Sequence, residues 1–286
     1  LLLLLTWLSV SAPLRAAETA IWQVGTFEEF LQGTLRDVSL SKEGEVTLAP
    51  EARAVFNPEQ ALALSLASDH SGNLYVGTGH QGKVFRVDVK LQGSVFFTAE
   101  EPDIFALAAG PDGALYVGSS PQGKIYRVTP DGKSSVFYQP KTKYIWALAF
   151  DSKGNLYAGT GDQGQVLRID PAGKAEVFYD STQTHIMCLT FDRDGNLLAG
   201  SVPNGLIFRI TPQGKAFVLY QASLPEIHEL ALDSQGRIYA AALGGAGVKG
   251  TPELFLPTAP GPPAPVAITV TVTAGTDDAS KSSSPA

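Results

Sequence analysis

The chain has 286 residues, a formal charge of −7, and 44% hydrophobic against 17% charged residues. That suffices for one large or two ordinary domains with a proper core. The acidic balance argues against a nucleic-acid partner, which needs clustered Lys and Arg to neutralise phosphate. A single cysteine, Cys188, excludes an intrachain disulfide and a cysteine-based zinc site. Set in Ile186-Met187-Cys188-Leu189, it reads as a small core residue.

In chain order, residues 1–10 are apolar but too short to cross a bilayer, which takes about 20 residues. Followed by small residues at Ala16 and Ala17, they read as a secretory signal over 1–17. The expected location is therefore secreted or periplasmic, with no membrane span after signal removal. No Met or basic segment precedes the apolar run, so the sequence is expected to begin inside its reading frame. Residues 18–60 carry a candidate hairpin, Val38-Ser39-Leu40 with Val46-Thr47-Leu48, and an orphan strand at 54–56.

A repeat governs residues 61–250. Gly72, Gly113, Gly154, Gly195 and Gly236 are each 41 residues apart. The same register aligns Gly77, Gly118, Gly159 and Gly200, then Gly82, Gly123, Gly164 and Gly205. It also aligns Arg86, Arg127, Arg168 and Arg209, and Ile104, Ile145, Ile186 and Ile227. Each copy reads as four short strands joined by polar turns; in the second these fall at 104–109, 115–118, 124–128 and 135–138. A four-stranded antiparallel unit recurring every ~40–45 residues is the signature of a β-propeller blade. The fold class is therefore all-β, with full blades over 63–97, 104–138, 145–179 and 186–220.

A fifth copy begins at Ile227 and lacks its third and fourth strands. The N-terminal strands could complete it, giving five blades; the favoured expectation is a fragment of a larger propeller. Residues 251–286 are rich in Pro, Ala and Ser and read as a linker or disordered tail, with one possible isolated strand at 267–272.

Two local motifs dissolve in this register. Residues 77–83, GTGHQGK, match a phosphate-cradling loop, but the copies read GSSPQGK, GTGDQGQ and GSVPNGL, and a strand follows instead of a helix. Without a helix N-terminus there is no dinucleotide site, so the segment is a hairpin turn. Asp192-Arg193-Asp194-Gly195-Asn196 resembles the start of a calcium loop, but the twelfth position, which should bring a bidentate acid, is Pro203. It reads as an Asp-to-Gly turn. For the four-Arg column, outer-strand salt bridges are expected, with Arg86 and Asp88 on one strand face and Arg168 and Asp170 on another.

The repeat D-x-x-G-N-L-Y-[VA]-[GA]-[TS]…G-K-[VI]-[FY]-R-[VI] resembles NHL-type propellers over about 61–243. It is also similar to the gluconolactonase/regucalcin and strictosidine-synthase-like superfamily, to virginiamycin B lyase, and to secreted bacterial propeller proteins of unassigned function. This resemblance implies a propeller with its site at the mouth of the central channel. The lactonase-type metal ligands, a Glu, an Asn and an Asp on different blades, find no matching motif.

Positions that vary between copies while the scaffold columns stay fixed are the binding candidates. Before the Ile column stand Asp103, Tyr144, His185 and Glu226; after it stand Phe105, Trp146, Met187 and His228. On the facing loops are His80, Asp162 and Asn204. The expected function is a non-catalytic scaffold binding a protein or a small polar ligand, with no cofactor. The alternative is a lactonase- or lyase-like enzyme with a divalent metal, using His185, Glu226 and His228. Under the scaffold reading His228 packs between blades, and Glu226 is a solvated charge.

Overall fold

The computed structural model describes residues 25–41, 44–49 and 54–244. The expected signal over 1–17 and the tail over 251–286, with its strand at 267–272, lie outside the described residues. The chain divides into two units, one up to Ala54 and one from Val55 onward. In the first, α1 (Phe27–Leu31) starts at Thr26. The Thr26 hydroxyl accepts from the Glu29 amide, and the Glu29 carboxylate accepts from the Thr26 amide. Strands β1 (Val38–Leu40) and β2 (Val46–Leu48) pair as the expected antiparallel hairpin.

The second unit is built from the repeats. Its first blade comprises β3 (Ala63–Ser68), β4 (Leu74–Thr78), β5 (Lys83–Val87) and β6 (Gly93–Thr98). The next contains β7 (Asp103–Ala109), β8 (Leu115–Ser120), β9 (Ile125–Val128) and β10 (Ser134–Tyr138). The third has β11 (Ile145–Phe150), β12 (Leu156–Thr160), β13 (Gln165–Ile169) and β14 (Ala175–Asp180). The fourth has β15 (His185–Phe191), β16 (Leu197–Val202), β17 (Leu206–Ile210) and β18 (Ala216–Gln221). Each is a four-stranded antiparallel meander, and β19 (Glu226–Leu232) with β20 (Ile238–Leu243) forms a two-stranded sheet. The first strands of successive blades lie against one another.

Packing follows from the columns. Ile104, Ile145, Ile186 and Ile227 are 0% exposed, and each presses on the preceding blade where a side chain is missing. A Cβ on Gly118 would stand 2.6 Å from Ile145 Cγ2, and one on Gly200 would stand 2.5 Å from Ile227 Cγ2. The space between neighbouring blades is filled by apolar clusters drawn from both. One unites Tyr75, Val84 and Phe97 with Ile104 and Leu107; another unites Tyr157 and Val166 with Ile186 and Leu197. Hence the strands are apolar on both faces. Cys188 belongs to a further cluster, beside Leu198 and Ile227.

The turns behave as the repeat predicts. In DHSGN, Asp69 Oδ1 accepts the amides of Ser71 and Asn73, both at 2.9 Å, an Asx turn closed by Gly72 at φ +84°. Residues 77–83 form the hairpin between β4 and β5. There Gly82 has φ +60°, and a Cβ would stand 2.1 Å from the Glu101 carbonyl oxygen. Only glycine tolerates both demands.

Two expectations are corrected. Residues 54–56 do not form a strand. The Phe56 ring instead anchors sideways on the first blade, 5.6 Å from Phe85 and over Gly93, where any Cβ would fall within 2.0 Å of it. The arginines do not pair with the Asp two residues on, because Asp88 and Asp170 are engaged in their own turns. Arg127 instead binds Asp112 at 2.8 Å, Arg209 faces Asp192 at 3.3 Å, and Arg168 binds Glu176. Arg86 lies 5.1 Å over the Phe96 ring, a cation–π contact.

Candidate binding site at the axial mouth

Every first strand carries a β-bulge at the same place. The pairing slips between Ala63 and Ser65, Ile104 and Ala106, Ile145 and Ala147, Ile186 and Cys188, and Ile227 and Glu229. The residues left out of the ladder are Leu64, Phe105, Trp146, Met187 and His228. A bulge re-aims a side chain without breaking the sheet around it. Phe105, Trp146, Met187 and His228 are thus the variable column that follows the fixed isoleucines, Leu64 follows Ala63 in the same register, and all five are half-buried.

Just before this series in the chain lies the second column, at the starts of the first strands. Asp103 pairs with Ser120, His185 with Val202 and Glu226 with Leu243. The same end therefore gathers the loops that follow the second strands, where His80, Asp162 and Asn204 sit.

The two columns meet in an aromatic group. Trp146 stands 4.5 Å from Phe105 and is stacked on Tyr144 at 5.0 Å and 14°. His185 meets Trp146 edge to face at 5.7 Å, and the Trp146 Nε1–H donates to His185 Nδ1 at 3.1 Å. This bond crosses from the third blade to the fourth. It depends on Gly161, where a Cβ would stand 2.6 Å from Trp146 Nε1 and 2.9 Å from His185 Nδ1.

His80 and Asp162 are placed differently from the expectation. Both hold left-handed backbone, φ +69° and +66°, and reach the mouth through their amides. His80 N–H donates to Asp103 Oδ1 at 2.9 Å, and Asp162 N–H points at His185 Nδ1 at 3.4 Å. The equivalent positions in the other two copies are Pro121 and Pro203, which have no N–H to give. The Asp162 carboxylate stands 3.9 Å from Lys143 Nζ. Asn204 donates to Gln183 at 3.0 Å.

The expected triad separates. Glu226 and His228 lie on one strand face with Nε2 and Oε2 2.9 Å apart, both about one-third exposed. His185 belongs instead to the Trp146 group. Among the described residues no group of three or more His, Cys, Asp or Glu side chains could hold a metal ion. A Glu–His pair supplies two ligands, fewer than the three protein ligands usual at a catalytic zinc, and no step through a metal is derived. Sequence reading missed the bulges and the amide donors, because both are backbone features; the Pro121 and Pro203 alternation was the available signal.

No protein-family model matches the sequence, and no curated protein sequence matches it. Solved structures do. Virginiamycin B lyase from Staphylococcus aureus superposes with a TM-score of 0.58 at 20% identity, over 71% of this chain and 69% of that one. A putative gluconolactonase gives 0.54 at 17% identity, over 72% and 77%. A chain of the nidogen–laminin complex gives 0.53 at 17% identity, over 59% and 70%. At such identities the likeness is one of architecture. The chain has the β-propeller fold that these lyase, gluconolactonase and nidogen–laminin structures share.

Proposed function

We propose that this is a secreted or periplasmic propeller that binds a small polar ligand or a protein at its axial mouth without transforming it. The observation that carries this reading is the series of bulge residues on successive first strands. Four four-stranded blades and the two-stranded sheet that follows them present five different side chains at one bulge position, and half-buried aromatic surface lies among them. Placement outside the cytoplasm rests on the apolar leader at 1–17.

The test is a ligand screen read by amide and side-chain resonances. Perturbations confined to Tyr144, Trp146, Met187 and His228, and abolished in Trp146→Ala with its circular dichroism unchanged, support the reading. Perturbations confined to the outer strands would overturn it. Fractionating cells that express the whole chain tests the location, and retention in the cytoplasm would refute it.

A second reading has one observation behind it, the Glu226–His228 pair. Carboxylate and imidazole in contact suit proton transfer, and two of the structural neighbours are named as a lyase and a putative gluconolactonase. Turnover of a lactone or cyclic ester that is lost in both Glu226→Gln and His228→Gln would favour the enzyme and displace the scaffold.

A further inference from the structure

The mouth also constrains what occupies it; this rests on the binding reading just given. His185 Nδ1 faces two hydrogens, from Trp146 Nε1 at 3.1 Å and from the Asp162 amide at 3.4 Å. An indole N–H and a backbone N–H donate only. Nδ1 must therefore present its lone pair, and a neutral imidazole then carries its proton on Nε2. Among the described residues Nε2 has no hydrogen-bond partner. Gly161 preserves this arrangement, since any Cβ there would intrude between the two rings.

Around this donor the groups differ in kind. Tyr144 precedes His185 in the same column, with Asp103 before it. Asp103 Oδ1 accepts the His80 amide, and an ionised carboxylate only accepts. The Asp162 carboxylate leans toward Lys143, and Glu226 holds His228. The Phe105–Trp146–Tyr144 stack gives apolar ring surface.

A ligand group that only donates would meet the Nε2 proton donor to donor. We infer that the mouth takes a ring-bearing ligand with a carbonyl or hydroxyl oxygen beside the ring. The oxygen accepts from His185 Nε2–H, and the ring lies on the aromatic stack. Two sources share this chemistry, an N-acetylated sugar and an aromatic amide.

The test uses the whole chain with 15N-labelled histidine. Long-range proton–nitrogen correlations should show His185 as the Nε2–H tautomer in the free protein; the Nδ1–H tautomer overturns the inference. Four probes are then titrated: the N-acetylglucosamine trisaccharide, N-acetyltyrosinamide, choline and acetate. One or both of the first two should shift the Tyr144, Trp146 and His185 signals and bind more tightly than choline or acetate. Which of the two binds identifies the source. Loss of one hydrogen bond to an otherwise retained ring should weaken binding about tenfold in His185→Phe.

Equal or tighter binding of choline or acetate at those signals overturns the ligand class and leaves the binding reading standing. So does unchanged affinity in folded His185→Phe. Silence of all four probes at the mouth of a folded protein counts against both. Should His185→Phe fail to fold, the tautomer and the ranking of probes on the unaltered chain decide alone.

Discussion

Glu101 shows how one residue can bear structural weight in a single blade. It is 2% exposed and accepts from Ser119 Oγ at 2.9 Å, Tyr126 OH at 2.8 Å and Lys124 Nζ at 2.9 Å. Burial pushes its carboxyl up, but the hydrogen bonds from Lys124, Tyr126 and Ser119 outweigh this and leave it below the usual carboxylate range. A depressed folded value means the stabilisation is fully present above the unfolded value of about 4.3 and is lost as pH falls through the folded one. Glu101→Gln should cost about 1–3 kcal/mol in urea unfolding at pH 7, and the deficit should shrink as the pH drops below about 4. An unchanged midpoint at pH 7 would show that the network contributes nothing. The second blade adapts elsewhere too. Gly110 stands where the other copies have the turn Asp, and Asp112 supplies the missing carboxylate to Tyr116 and Arg127. That substitution is visible in the sequence only once the turn geometry is known.

At the scale of the strand, position within the blade sets the energetic consequence. Ile186 on β15 is 0% exposed and meets the face of the third blade, whereas Val177 on β14 is 53% exposed at the rim. Ile186→Ala should destabilise by about 2–5 kcal/mol, and Val177→Thr by no more than about 0.5 kcal/mol. Denaturant midpoints of the two variants check this, and similar losses would contradict the blade order. The strands themselves were legible because alternating turn residues and β-branched runs are local signals. The inner bulges were not, since a slip of one residue depends on the partner strand and leaves no compositional trace. Thus Trp146 and His228 are legible as variable positions, but the bulges that lift them out of the ladder are not.

For the molecule as a whole, interlocked blades should open together. Cys188 is buried where the fourth blade meets β19, and burial pushes its thiol well above the ordinary cysteine range. Native protein should therefore resist a thiol reagent and become reactive along the same denaturant curve that circular dichroism reports. Labelling well before that transition would mean that β19 and β20 detach first. The 41-residue period exposed this architecture at once, because each copy repeats the same packing problem with the same solution. The mouth was only half readable. Its residue types could be named, but the partition of His185 from Glu226 and His228 is decided by which blade interface each side chain joins.

The bulges separate two jobs that most folds entangle. Leu64, Phe105, Trp146, Met187 and His228 stand outside the hydrogen-bond ladders, so the sheet does not dictate their identity. They can be read as a five-letter word written on a fixed frame. Rewriting one letter should change what the protein addresses without respelling the blade that carries it, which makes the mouth a natural place to install new specificity.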